Sequence, residues 1–362
     1  MAPPSGRAAT TAGVSRVSLS GYVRLGRVNP PSEATSAPSR VAVLAGGVGG
    51  SRFVRGVRAA FPTARLDVIV NTADDVTLHG LRICPDIDTM LYALGDGIDP
   101  AKGWGRADET WSIMDELKTY GVEPTWFALG DRDIATHLVR TQLIAAGATP
   151  TEITTALATR WIADPALHVL PMTDDRVETH VVIADDREPS GRRAVHFQEF
   201  WVRLHAEPEV LDVVQVGLDT ARATAAVTEA LTAADLVLIA PSNPVVSIGP
   251  ILGVGGVRPA LRATNARVIG FSGILGGAPV LGMAHRLLPA IGVEVAAGAV
   301  GLHYGPRNRP GGILDAWVMD TADAGAVESV RAAGLSALAV PLLMSSPEDT
   351  AGFIRAGVEF VA

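Results

Sequence analysis

The sequence predicts an α/β fold: a doubly wound, mostly parallel, Rossmann-like sheet with a mixed, strand-containing insertion in the middle of the chain. Three observations carry that expectation. Val41 to Ala45 is an all-apolar run that passes through Gly46-Gly47-Val48-Gly49-Gly50 into a helical pattern, the opening of a strand–helix–strand unit. Leu236 to Ala240 and Arg267 to Phe271 are further apolar runs ending in Ser-, Asn- and Gly-containing loops, the mark of strands covered on both faces. Between them, His168 to Val216 alternates more, as at Val177, Thr179, Val181 and Ile183, the period of half-buried strands.

Composition narrows the function. The 362 residues are 48% hydrophobic and 19% charged, which is enough for a sizeable core. A net charge of -8 argues against a protein that grips nucleic acid by its phosphates. The single cysteine, Cys84, excludes a disulfide framework or a multi-cysteine metal site. Leu236 to Val257 is uncharged and long enough to span a bilayer. Pro241, Pro244, Pro250 and the glycines from Gly249 to Gly256 break it, and Val268 to Ala284 is broken in the same way. The expectation is a cytoplasmic protein with no membrane segment.

Residues 1–39 are rich in Ala, Ser, Pro and Arg and hold one acid, Glu33. They read as a disordered extension or a start codon placed too early, although the composition also resembles a transit peptide. Residues 40–165 form the first Rossmann-like half, with the glycine loop and an acidic site. Its first helix carries Phe53, Val54, Val57, Ala60 and Phe61 up to Pro62, and a second strand runs from Leu66 to Asn71. Leu91, Leu94, Trp111, Met114 and Leu117 suggest helical cover. A helix follows Gly130-Asp131-Arg132-Asp133, with Ile134, Leu138, Thr141 and Ile144 toward the core, and another covers Thr151 to Trp161. Residues 166–216 form the strand-rich insertion. Residues 217–362 form the second half, with helices over Ala221 to Ala233 and Val280 to Leu288 and a further strand over Val293 to Val300.

The candidate chemistry sits at the strand ends. Gly46, Gly47, Gly49 and Gly50 let backbone approach a phosphate at a helix N-terminus; the alternative is a tight turn with no ligand. Neither a Walker A loop nor the dinucleotide fingerprint fits, since Arg52 stands where the last glycine belongs. Asn71-Thr72-Ala73-Asp74-Asp75 ends the second strand and Cys84-Pro85-Asp86-Ile87-Asp88 follows. In an extended loop Asp86 and Asp88 would point the same way, and with Asp74 and Asp75 they suit magnesium; each alone is also a fair helix cap. Asp131 and Asp133 are N-cap candidates, with Arg132 between them placed to hold a phosphate. Ser242, Asn243 and Ser247 after one strand, and Ser272 and Gly273 after the next, offer hydrogen bonds to a nucleotide. The segment His196 to Trp201 reads as a lid or as core packing.

Six segments occur in one order: Leu44 to Gly50, Asn71 to Asp75, Ile83 to Thr89, Leu129 to His137, His196 to Val202, and Pro241 to Pro250. Together they resemble the 2-phospho-L-lactate transferase family of coenzyme F420 biosynthesis, and within it the actinobacterial phosphoenolpyruvate (enolpyruvyl-diphosphoguanosine):Fo transferases, over roughly residue 40 to the end. The resemblance implies a magnesium-dependent homodimer. Its reaction would move a phosphoenolpyruvyl or 2-phospho-L-lactyl group from a GDP-linked donor to the ribityl hydroxyl of the deazaflavin Fo, releasing GMP. It makes Asp86, Asp88 and Arg132 the first catalytic choices. Gly46, Gly47, Gly49, Gly50, Asn71, Thr72, Asp131, Ser242, Asn243, Ser247 and Gly273 would bind substrate or nucleotide. Two rivals stand beside it. A related group of non-catalytic nucleotide-sugar-binding regulators shares the glycine loop, but Val76-Thr77-Leu78-His79-Gly80 replaces its glycine- and serine-rich continuation. A nicotinamide oxidoreductase is weakened by Arg52.

Overall fold

The computed structural model describes residues 37–361 apart from residue 101; the expectations for residues 1–36 lie outside the described residues. The backbone of the fold is a seven-stranded, all-parallel sheet. Its strands are β1 (Arg40–Ala45), β2 (Arg65–Val70), β3 (Leu167–Pro171), β4 (Leu236–Ile239), β5 (Arg267–Phe271), β6 (Ala316–Met319) and β7 (Ser336–Ala339), in the spatial order β7-β6-β5-β4-β1-β2-β3. The order reverses at β1, whose two neighbours are β2 and β4. The crevice beyond the carboxyl ends of β1 and β4 is therefore the topological switch point, where such sheets bind ligands.

Burial explains the apolar runs. Val41, Val43 and Ala45 belong to the core on one face of the sheet, while Ala42 and Leu44 belong to the core on the other. Each strand must satisfy both faces, so its sequence cannot alternate. The edge strand β3 differs, because its last residue is Pro171, which lacks the N–H a central strand would need.

Helices α1 (Gly47–Ala60), α2 (Pro85–Leu94), α3 (Ser112–Thr119), α4 (Asp131–Ala145) and α5 (Pro150–Trp161) follow in the first half. The start of α5 is set by a capping box between Thr149 and Glu152 with Pro150 at the first helical position. A three-stranded antiparallel sheet, Arg192–His196 beside Glu178–Ala184 beside Val210–Val216, makes the mixed middle section. The central sheet thus takes Leu167–Pro171, and the separate small sheet begins only at Glu178.

Two expectations in the second half are corrected. The stretch expected as a strand over Val293 to Val300 turns instead into a helix, Ala297–Tyr304, and the strand is Ala316–Met319. The reason is close packing: Gly301 lies so near the Trp317 ring that a β-carbon there would be 2.6 Å from it, and Trp317 Nε1 donates to the Ala297 carbonyl. The helix expected over Val280 to Leu288 shrinks to Ala284–Leu287, because a hairpin of Ile274–Leu275 and Ala278–Pro279 precedes it.

Candidate active site

The loop between β1 and α1 is held against the loop after β4. Gly46 N–H donates to Ser242 Oγ (3.1 Å), and Ser242 Oγ–H donates back to the Gly46 carbonyl (2.7 Å). A β-carbon on Gly46 would sit 2.6 Å from Asp86 Oδ2 and 2.8 Å from Ser247 Cβ, and one on Gly50 2.7 Å from Ser242 Oγ. Gly47 adopts φ +63°, a left-handed conformation that glycine accepts freely. Gly273 approaches the Pro241 carbonyl in the same way, at 2.8 Å from its would-be β-carbon, whereas Gly49 has ordinary space at 3.7 Å. The glycines are thus the means by which Asp86, Ser242 and Ser247 reach the N-terminus of α1. No side chain caps that helix. Its first N–H groups and dipole favour an anion. Asn243 is occupied locally, its Oδ1 accepting from Val245 N–H and Val246 N–H.

The acids do not converge as an extended loop would make them. Cys84 is the N-cap of α2 and Pro85 its first residue, so Asp86 and Asp88 are helical and point about 200° apart. Asp86 faces the glycine loop and accepts from Asn71 Nδ2 (3.0 Å). Burial pushes its carboxyl up to about 6, against hydrogen bonds from Asn71 and Gly47 N–H that favour the ionised form. Asp74 is held well above the usual carboxylate range, first by burial and then by the charges of Asp86 and Asp75. Asp74 Oδ1 is buried without a hydrogen-bond partner. Among the described residues no basic side chain pairs with Asp74 or Asp86. Two buried carboxyls in mutual repulsion beside a bare oxygen are the donor chemistry of a hard divalent cation. No three His, Cys, Asp or Glu side chains among the described residues make a ready cage.

Asp88 has another partner. Both its oxygens accept from the Arg140 guanidinium, Oδ2 from Nη1 at 3.0 Å and Oδ1 from Nη2. His137 Nδ1 lies 3.6 Å from Asp88 Oδ2, and all three side chains are buried. Asp75 Oδ2 is 3.4 Å from Arg82 Nη2, its Oδ1 has no partner, and burial pushes the carboxyl up to about 7.

Asp75, Thr72, Arg82 and Arg140 line one end of a cavity of about 390 Å³, with Ile87, Ile144, Ile153 and Pro171 forming an apolar wall. Thr72 Oγ1 is buried and unpartnered. Arg132 and Asp131 stand elsewhere. Asp131 caps α3 from outside, accepting from Thr110 Oγ1, Ser112 N–H and Ile113 N–H. Arg132 is exposed, and its carbonyl accepts from Arg106. The cavity touches α4 only from Arg140 onward, eight residues or about 12 Å along the helix.

Sequence reasoning missed Arg82, His137 and Arg140. Its reading of α4 holds for Ile134, which is buried, but not for Leu138 and Ile144, which are 47% and 44% exposed, while His137 and Arg140 are buried instead. The available signal was a His and an Arg one turn apart on the face of Ile134, opposite a strand end with more acid than counter-charge. Of the segment from His196, Phe197 and Phe200 are core and Trp201 is 42% exposed.

A parallel sheet with an uncapped helix N-terminus and buried carboxyls at its switch point defines the class: a doubly wound α/β protein with its polar groups gathered where such sheets bind ligands. Residues 41–341 match the family model described as 2-phospho-L-lactate transferase CofD, and the chain belongs to that family. It is 55% identical over 317 residues to the phosphoenolpyruvate transferase of Kitasatospora aureofaciens, covering 87% of this chain and 96% of that one. It is 53% identical over 316 residues to the phosphoenolpyruvate transferase of Streptomyces coelicolor, covering 87% and 96%. Among solved structures, a UPF0052-family protein from Bacillus halodurans has the same fold, with a TM-score of 0.60 at 16% identity over 89% of this chain and all of the other.

Proposed function

We propose that this protein is the transferase of coenzyme F420 biosynthesis that moves a phosphoenolpyruvyl group from a GDP-linked donor to the terminal ribityl hydroxyl of Fo. The observation that carries the reading is the buried pair Asp74 and Asp86 against the N-terminus of α1, met by no basic side chain among the described residues. A diphosphate drawn there by the helix would face two carboxyls, which calls for a divalent cation between them. Asp74 and Asp86 would hold magnesium, whose charge offsets that of the diphosphate and of the departing GMP.

The chain's own residues divide the remaining work. The N–H groups of Val48 and Gly49 at the start of α1 face the donor's phosphates, while Gly46 and Ser242, bonded to each other, fix the loop that presents them. The apolar wall of the cavity accepts the deazaflavin ring, which brings the ribityl chain toward Thr72 and Asp75. Thr72 Oγ1 orients the terminal hydroxyl, and Asp75 Oδ1 takes its proton as the hydroxyl oxygen bonds to the phosphorus carrying the enolpyruvyl group. The bond from that phosphorus to the bridging oxygen breaks, its electron pair leaves with GMP, and a phosphodiester remains on Fo. Positioning and charge carry such a step, without a covalent intermediate.

Supported by the resemblance, the working form is a cytoplasmic homodimer, to be read by light scattering of the purified protein. The test of function is mass spectrometry of reactions containing Fo, magnesium and either the enolpyruvyl or the lactyl donor. The enolpyruvyl phosphodiester should form with one GMP per turnover, and chelation by EDTA should stop it. Tight nucleotide binding with neither product would replace the transferase by a binding regulator.

A further inference from the structure

The group transferred in the proposed reaction carries a carboxylate as well as a phosphate. A carboxylate drawn into a cleft is costly unless a cation meets it, and a guanidinium does so with two parallel hydrogen bonds. Three guanidinia line the cavity, those of Arg82, Arg140 and Arg176.

Two of them are already engaged. Arg140 bonds both oxygens of Asp88 and contacts His137 Nδ1 and the Arg82 carbonyl. The Arg176 side chain is 74% exposed and donates twice to Glu178 Oε1. Arg82 differs from both. Its side chain is 18% exposed, and among the described residues its one side-chain partner is Asp75, at 3.4 Å. That is longer than the roughly 2.8 Å of a formed charge-assisted bond. Its backbone is pinned, the N–H donating to Thr141 Oγ1 (2.9 Å) and the carbonyl accepting from Arg140 (3.4 Å). A fixed stem with a weakly held head, whose partner Asp75 is the chain neighbour of Asp74, is the arrangement of a cation awaiting an anion.

We propose that Arg82 holds the carboxylate of the three-carbon group and so selects a donor that bears one. Other acids near the cavity have partners: Asp88 accepts from Arg140, Asp174 from Thr151 Oγ1, and Asp175 from Arg222 N–H (2.9 Å) and Thr173 Oγ1 (3.4 Å). Arg82 thus acts on donor recognition, while the hydroxyl chemistry belongs to Asp75.

The proposal rests on the transferase reading, and the experiment separates the two. Donor and acceptor KM are measured for the wild type, Arg82→Gln and Arg82→Lys, with the enolpyruvyl donor and with its carboxyl methyl ester. The wild type should favour the free carboxylate. Arg82→Gln should raise KM for the carboxylate donor on the order of 10–100-fold, leave the Fo KM within about twofold, and erase the preference over the ester. Arg82→Lys should recover part of it. An unchanged donor KM, a retained preference, or an equal rise in the Fo KM would overturn the assignment. If Arg82→Gln fails to fold, Arg82→Lys and the wild-type preference decide. A wild type that transfers neither donor removes the transferase reading itself.

Discussion

A methyl group on Gly46 has nowhere to go, because Asp86 Oδ2 and Ser247 Cβ stand within 2.8 Å of it. Gly46→Ala must therefore push Asp86 away from the helix N-terminus it serves. A displacement near 1 Å at such a group costs on the order of 100-fold in kcat/KM, and the melting temperature should change far less than the rate. A variant with wild-type kinetics would show that the loop and Asp86 are not one unit. His137 gives the opposite kind of test, one of stability. Burial holds its imidazole down to about 4, whereas an unfolded histidine titrates near 6.5. As pH falls from about 6.5 to 4 the unfolded chain takes up a proton the native one refuses, so this residue withdraws on the order of 3 kcal/mol of stability over that window. The raised carboxyls of Asp75, Asp86 and Asp133 act the other way, gaining protons in the native state. The informative quantity is therefore the gap in urea-unfolding free energy between the wild type and His137→Gln. It should narrow on acidification; a constant gap would mean that His137 is not held neutral. At this scale the glycines and acids were legible in the sequence, because they sit at apolar strand ends. Their partners were not, because Arg82 comes from the antiparallel hairpin Val76–Leu78 and Leu81–Ile83, and His137 and Arg140 from α4, whose approach only the tertiary structure sets.

The pair Asp88–Arg140 is best understood as a joint between α2 and α4. Read as loop, Asp88 pairs with Asp86 as a cation ligand; read as helix, it faces the opposite way and meets a guanidinium. The difference lies in where α2 begins. Pro85 suits a first helical position, yet a Cys-Pro-Asp string is equally a turn, so local sequence leaves the register open. Removing one partner strands the other charge in the interior, at about 3–5 kcal/mol. Asp88→Asn and Arg140→Met should each destabilise by that amount in urea, while the double variant Asp88→Leu/Arg140→Met should recover most of the loss. Additive losses would mean that the two groups are not coupled. The magnesium concentration for half-maximal activity should be unchanged in Asp88→Asn and raised in Asp74→Asn. Elements were legible in proportion to their apolar length: β1, β2, β4 and β5 stand out as unbroken runs. Ala316–Met319 is four residues long, and the glycines of Ala297–Tyr304 disguise a helix that needs Gly301 to reach Trp317 and brings Gly298 against Val330.

Within residues 37–361, the face of the sheet covered by α1 and α2 is completed from the other end of the chain. The C-terminal helix Pro347–Phe360 lies against α1, although the family match ends at residue 341. Thr350 fills the space beside Gly56, where a β-carbon would overlap it, and Phe353 meets Phe53 and Phe271 with ring centroids 6.3 and 5.7 Å apart. Phe353 and Ile354 are both buried. Sequence shows the apolar residues of this helix but not its docking site, since nothing local joins residue 56 to residue 350. Deleting residues 345–362 removes two large buried apolar side chains worth roughly 1.5–3 kcal/mol each, and uncovers Phe53 and Phe271 at similar cost. The sum is comparable with the whole stability of an ordinary domain, about 5–15 kcal/mol. The shortened chain should lose its cooperative thermal transition and its near-ultraviolet circular dichroism while keeping helical signal, and Phe353→Ala alone should cost about 3–5 kcal/mol. A shortened chain that melts sharply at the full chain's temperature would show that the sheet holds together without this cover.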